Sequence, residues 1–410
     1  MTRWGFTAAA VLAVALPGGA TAHDARWTPA WGSSQMRIDG PNADKLAKAG
    51  PATIRQTVHL TAGGRVLRLR LSNIAGTAPL RIGAATIGAG TPGRSEVAQI
   101  LPVRFGGLSS VLIPPGAELY SDDIALPVTP GSDVTVSLYF PEAVTLPTGH
   151  SGARSTTYLT SGDATTRPAL PEAEKIGGWW ALSDVEVRDA AQTATIVTIG
   201  DSITDGYGIT DNSNSRWPDD FARRLAANAA TRRFSVVNAG IGGNRVLLDG
   251  LGPNLMARFD RDVIARPGVS HVILLEGVND LGVLTREHPV DQASHRAIVE
   301  QITTAYRQLA SRAHAHGIRL IGGTITPFQG SDYYHPGPET EADRQAINSF
   351  IRTSGVFDGV VDFDRAVRDP ARPDRLLAAY DSGDHLHPSM AGYKAMAAAI
   401  PLSLFTTPRR

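Results

Sequence analysis

Two patterns of hydrophobic positions divide this chain. From about Ala52 to Thr160 the apolar residues come in short runs, at Ile54 to Leu60, Val66 to Leu71, Leu80 to Ile87 and Val134 to Phe140. Several are rich in β-branched residues, and turn-forming clusters such as Ala62-Gly63-Gly64 and Pro130-Gly131-Ser132 separate them. Short strands with frequent turn signals predict an all-β sandwich or jelly roll. From Thr193 onward, strand-like runs alternate with helix formers. Strands are expected at Ala194 to Ile199, Phe234 to Val237, His271 to Leu275, Leu320 to Thr324 and Val360 to Phe363. Helices are expected at Asp219 to Ala229, Gln292 to His316, Glu339 to Ile351 and Ala391 to Ile400. This alternation predicts an α/β region with a parallel sheet covered on both faces.

These patterns set expected boundaries. Residues 27–160 read as a β-sandwich accessory domain, 161–192 as a linker and 193–406 as the α/β domain. The linker reading rests on Pro168, Pro171 and Gly177-Gly178. Trp179 and Trp180 within it fit either a sugar-binding role or aromatic packing between domains, and packing is the commoner fate of large aromatics. At the N-terminus, Arg3, the apolar stretch Phe6 to Leu16 and the small residues Ala20-Thr21-Ala22 read as a secretory signal over residues 1–22. The apolar stretch is shorter than the ~20 residues a spanning helix needs, so the expectation is a secreted or periplasmic protein without stable membrane insertion.

Composition narrows the function classes. With 39 basic and 39 acidic side chains the formal net charge is zero, which lacks the basic footprint of a nucleic-acid binder. The 410 residues leave room for two ordinary domains. There is no cysteine, so thiol nucleophiles, zinc–thiolate sites and redox motifs are excluded.

The candidate chemistry lies after the predicted strands. Gly200-Asp201-Ser202-Ile203-Thr204-Asp205-Gly206 follows the run Ala194 to Ile199, placing a hydroxyl where open α/β sheets present their ligands. Asn238-Ala239-Gly240-Ile241-Gly242-Gly243-Asn244 follows Phe234 to Val237, and Gly277-Val278-Asn279-Asp280 follows Val272 to Leu275. Asp384-His385-Leu386-His387-Pro388 lies near the C-terminus. Taken singly, each residue has an ordinary alternative: Ser202 as a helix cap, Gly243 and Asp384 in turns, Asn279 bonded within its own loop, and His387 as a packed histidine.

Together, in this order, the four blocks resemble those of the SGNH (GDSL-type) hydrolases over roughly residues 194–400. The resemblance implies a three-layer α/β/α catalytic domain with a parallel sheet. It implies Ser202 as nucleophile, His387 as its base and Asp384 as the group orienting the imidazole. Ser202, Gly243 and Asn279 would form the oxyanion hole, and no metal or organic cofactor is required.

A serine hydroxyl needs such a base, and the three-residue spacing of Asp384 and His387 lets a tight turn bring both to one side. His385 is the competitor for the histidine role, and His385 with His387, Asp381 and Asp384 is an alternative metal set. The family pattern selects His387, which directly precedes Pro388.

Two motifs are set aside. Gly88-Ala89-Gly90-Thr91-Pro92-Gly93 spells a dinucleotide fingerprint but sits in a β pattern with no helix opening. Gly149-His150-Ser151 is similar to a lipase elbow, yet Ala153 stands where the last glycine belongs.

The expected function is an exported serine esterase taking a small-molecule or polysaccharide ester, with carbohydrate acetyl esters preferred. Tyr333, Tyr334 and His335, on a Gly/Pro-flanked loop, are candidates to line the substrate side. The alternatives are a lipase, lysophospholipase or arylesterase, and a non-catalytic carbohydrate-binding protein.

Overall fold

The computed structural model describes residues 26–188, 191 and 194–406. The segment read as a secretory signal lies outside the described residues. Among the described residues, no helix is long and apolar enough to cross a membrane.

The N-terminal half is built from antiparallel sheets. A six-stranded sheet runs in the order Glu174–Gly177, Thr156–Ser161, Ala52–His59, Asp133–Phe140, Ala84–Gly90, Val97–Pro102. A four-stranded sheet runs Thr28–Gly32, Leu182–Arg188, Val66–Ser72, Glu118–Tyr120. The pleat dictates how they stack. In Val66–Ser72, Leu67, Leu69 and Leu71 are fully buried, while Arg68 and Arg70 point the other way to Glu186 and Glu118. Those leucines share one apolar core with Ile54, Val136 and Leu138 of the six-stranded sheet. The motif at Gly88 to Gly93 lies in and just after the strand Ala84–Gly90, with no helix following.

The stretch expected to be a linker is instead part of this core. Residues 161–192 supply the strands Glu174–Gly177, Trp179–Trp180 and Leu182–Arg188. The last lies inside the four-stranded sheet, between Thr28–Gly32 and Val66–Ser72. Its glycines and prolines punctuate short strands rather than loosening the chain, and Leu182, Val185 and Val187 are fully buried. Trp179 and Trp180 are buried too; Trp179 meets Trp31 edge to face with ring centroids 4.9 Å apart. Packing, not sugar binding, is their role.

In the C-terminal half a five-stranded parallel sheet runs Phe234–Gly240, Ala194–Gly200, Val269–Leu275, Arg319–Gly323, Gly359–Val361. Every residue of Ala194–Gly200 is buried, as a central parallel strand requires. The strand order reverses after the first strand. Right-handed crossovers then send the helix that follows it, Trp217–Ala226, to one face and later crossover helices to the other. The packing agrees: Trp217–Ala226 lies against Met390–Ala399, and Gln292–Ala315 against Pro338–Thr353. Phe363, expected at the end of a strand, opens the helix Phe363–Val367 because the Asp362 carboxylate accepts from Arg365 N.

The two halves are joined by buried and half-buried polar contacts. Thr61 Oγ1 donates to Val236 O at 2.9 Å and accepts from Val236 N at 3.0 Å, on the edge strand of the parallel sheet. Arg266 donates to Asp184 Oδ1 at 2.7 Å and to Ser33 O at 3.0 Å. Ser34 Oγ donates to Asp262 Oδ2 at 2.8 Å and accepts from the fully buried Arg258. Although burial opposes its charge, Asp262 stays well below the ordinary carboxylate range because Arg261 and Arg258 hold it ionised.

Candidate active site

The strand Ala194–Gly200 stops at a glycine because nothing larger fits. A Cβ on Gly200 would lie 2.1 Å from the Leu275 carbonyl oxygen. The chain then turns into a single helical turn, Ser202–Asp205, capped by the Asp201 carboxylate accepting from Ile203 N at 2.8 Å. Ser202 thus stands at the first position of that turn, at the carboxyl edge of the sheet.

His387 reaches it from the other end of the fold. Asp384 closes a tight turn by accepting from the backbone N–H groups of Leu386 at 3.0 Å and His387 at 2.8 Å. The same carboxylate accepts from His387 Nδ1 at 2.6 Å. Because Nδ1 faces a carboxylate it carries the proton, which leaves Nε2 as an acceptor. Ser202 Oγ donates to that Nε2 at 2.8 Å. Burial pushes the Asp384 carboxyl up, yet the hydrogen bonds from the His387 side chain and backbone outweigh it and hold the acid well below its usual value. The following helix, Met390–Ala399, is capped by Ser389 and fixes the loop.

His385 does not compete. Its Nδ1 bonds Asp381 Oδ2 at 2.6 Å, a separate pair, and no metal-binding cluster of His, Asp or Glu occurs among the described residues.

Gly243 and Asn279 come to the same place as Ser202. All three line a cleft of about 770 Å³ together with Asp384 and His387. Gly243 has φ +69°, a conformation that favours glycine, so its peptide is presented without a side chain. Asn279 is oriented by two partners. Its Nδ2 donates to Asn244 O at 2.7 Å, and its Oδ1 accepts from Tyr334 OH at 2.6 Å. One amide N–H stays uncommitted to these bonds.

Tyr334 is buried, and the ring of Tyr333 is exposed at the cleft rim. His335 is exposed. Of the three aromatic candidates, Tyr333 and Tyr334 line the cleft and His335 does not.

Sequence reasoning missed part of the site. The segment set aside as a failed elbow supplies one wall: His150, Ser151, Gly152 and Arg154 line the cleft from the β half. His150 Nδ1 donates to Ser34 O at 2.9 Å and Nε2 to Asp205 Oδ1 at 2.8 Å. Both neighbours only accept, so the buried imidazole carries both protons. Burial opposes that charge, but the Asp205 carboxylate and the Ser34 carbonyl outweigh it and raise the His150 pKa.

Behind Ser202 lie three buried acids, Asp201, Glu276 and Asp280. Burial pushes Asp201 up to about 7 and Asp280 up to about 6. Glu276 is raised well above the ordinary range by burial and by Asp201, and neither of its carboxyl oxygens has a hydrogen-bond partner among the described residues. No spacing rule would have found these contacts, since each depends on how distant elements pack.

A parallel α/β sheet with a serine, a histidine and an aspartate linked at the carboxyl ends of its strands is the arrangement of hydrolases that act through a serine. Residues 198–395 match the GDSL-like lipase/acylhydrolase family, and the C-terminal part of the chain belongs to that family of ester-acting hydrolases. No curated protein matches the chain.

Among solved structures, the chain is similar to the acetylxylan esterase Axe2 from Geobacillus stearothermophilus, at 22% identity over 53% of this chain and 96% of that one, with a TM-score of 0.40. It is similar to LAE5, an alpha/beta hydrolase from the metagenome of Lake Arreo, Spain, at 22% identity over 52% and 95%, TM-score 0.38. A GDSL-like lipase from Bacteroides thetaiotaomicron follows at 19% identity over 52% and 88%, TM-score 0.38. Likeness at this level transfers no property to this chain.

Proposed function

We propose that this protein is a serine esterase that cleaves carboxylic esters through an acyl-enzyme. The observation that carries the reading is the hydrogen-bonded chain from Ser202 Oγ through His387 to Asp384, open to a cleft. Ser202 Oγ attacks the ester carbonyl carbon while its proton passes to His387 Nε2. Asp384 keeps the ring in the required tautomer and stabilises the imidazolium. The negative oxygen is received by the Ser202 and Gly243 N–H groups and the Asn279 amide. His387 returns the proton to the departing alcohol. Water, deprotonated by His387, then attacks the acyl carbon, and His387 returns that proton to Ser202 Oγ as the acyl–oxygen bond breaks and the acid leaves.

The preferred substrate class is a carbohydrate ester bearing a short acyl group. Tyr207 and Tyr333, 46% and 59% exposed, give the cleft two aromatic surfaces of the kind sugar rings stack on. Export rests on the N-terminal sequence pattern alone, and N-terminal sequencing of the mature protein tests it.

The decisive experiment compares wild type and Ser202→Ala on p-nitrophenyl esters from acetate to palmitate. A loss of roughly three orders of magnitude or more supports serine catalysis. A maximum at acetate supports the short-acyl reading and a maximum at long chains supports a lipase. An inactive wild type, or a variant with full activity, overturns the esterase reading in favour of carbohydrate binding without catalysis.

A further inference from the structure

Three of the cleft-lining residues are basic: His150, Arg154 and His387. The two histidines are committed to carboxylates, His150 to Asp205 and His387 to Asp384. Arg154 is different. No carboxylate among the described residues lies within ion-pair reach of it, and its Nε is buried without a hydrogen-bond partner. It lies instead against an aromatic face: the guanidinium carbon is 4.6 Å from the centre of the Tyr207 ring. That ring in turn lies 4.2 Å from the centre of the His387 imidazole. A half-buried guanidinium without an acid partner, next to the ring touching the proposed general base, stands apart in a structure otherwise dense in arginine–carboxylate pairs.

The backbone beneath it is held in place. Arg154 sits at φ +47°, in the left-handed region that a long side chain rarely occupies. Both flanks of this position are clamped from the C-terminal half. Arg154 O accepts from Asn212 N at 2.8 Å, Thr156 N donates to Asn212 Oδ1 at 2.8 Å, and Arg216 donates to Ala153 O. Backbone strain that persists because its surroundings over-determine it is a mark of functional positions. Tyr207 is fixed from below as well, its carbonyl accepting from the buried Tyr393 OH at 2.7 Å.

We propose that Arg154 anchors a carboxylate on the alcohol part of the substrate, so that the protein prefers acyl esters of acidic sugars to those of neutral ones. The guanidinium fork matches a carboxylate in two parallel hydrogen bonds, which a lysine would not reproduce. Tyr207, exposed in the same cleft, would border the sugar beside it. The remaining acid at the rim, Asp332, is exposed and solvated. This inference deepens the esterase reading and rests on it.

The test measures acetate release from acetylated oligogalacturonate and from acetylated xylo-oligosaccharide, for wild type, Arg154→Gln and Arg154→Lys. The quantity read is the ratio of kcat/KM between the acidic and the neutral substrate. Wild type is expected to favour the acidic one by ~10-fold or more, and Arg154→Gln to collapse that ratio through KM, with Arg154→Lys between them. An unchanged ratio in Arg154→Gln, or a wild type that favours the neutral sugar, overturns the proposal. If no substrate releases acetate, the esterase reading has failed separately. Calorimetric binding of de-acetylated oligogalacturonate then decides: binding that Arg154→Gln abolishes supports the anchor, and equal or absent binding in wild type and variant overturns it.

Discussion

The two halves of this molecule reach the same cleft by different means. The parallel half delivers its chemistry from short loops directly after strands, so Ser202, Gly243 and Asn279 are placed by the sheet itself. The antiparallel half delivers His150 from the end of the strand Thr148–His150 and Arg154 from the turn after it, a segment held against the other half. The difference teaches that the reacting groups and the substrate-facing wall are separable in origin. The first belongs to the parallel half, and the part of the wall that His150 and Arg154 supply is held only while the halves stay docked.

The sharpest way to break this comparison is to remove the base. His387→Ala is expected to lower kcat on p-nitrophenyl acetate by at least about 10³-fold, with thermal unfolding little changed, as for other triad histidines.

The docking side is broken at His150. His150→Ala leaves the Asp205 carboxylate buried without its partner and is expected to cost about 3 kcal/mol, read by denaturant unfolding. The sign of its pH dependence follows from the raised pKa. The contribution is fully present below the unfolded imidazole value and is lost as pH rises through the higher folded value. Wild type should therefore lose stability as pH rises above the unfolded imidazole value, along a slope that the variant lacks.

A smaller effect is expected at Tyr334→Phe, which removes the bond holding Asn279 Oδ1. A loss of about 1 kcal/mol, roughly fivefold in kcat with KM nearly constant, would place Tyr334 as a positioning residue; a change in KM alone would contradict that.

Asp201→Asn sharpens the picture from the parallel side. An acid whose folded pKa is raised to about 7 binds a proton in the native state that the unfolded chain has released, so it destabilises as pH rises from about 4 to about 7. Asparagine keeps the acceptor for Ile203 N. The variant should match wild type near pH 4 and melt higher near pH 8.

Legibility in the sequence followed the same divide. The parallel strands and the helices Gln292–Ala315 and Met390–Ala399 fall within a few residues of where hydrophobic periodicity put them, because a buried strand or an amphipathic helix is a local pattern. The family blocks announced Ser202, Gly243, Asn279, Asp384 and His387, and the fold brings all five to one cleft. The stretch from 161 to 192 was misread because glycine and proline mark short strands and linkers alike. His150–Asp205, Tyr334–Asn279 and Arg154–Tyr207 join residues 53 to 55 positions apart across different elements. No periodicity encodes which side chain will face which after packing.

One contact at the seam has a wider consequence. Phe234–Gly240 is the open border of the parallel sheet, and Thr61 engages both the N–H and the C=O of Val236 there with a single hydroxyl. A side chain cannot continue a ladder as another backbone would, so this border is closed to strand-by-strand growth. Cutting the catalytic half free would uncover a templating edge, and the excised fragment should self-associate rather than persist as a small, convenient enzyme.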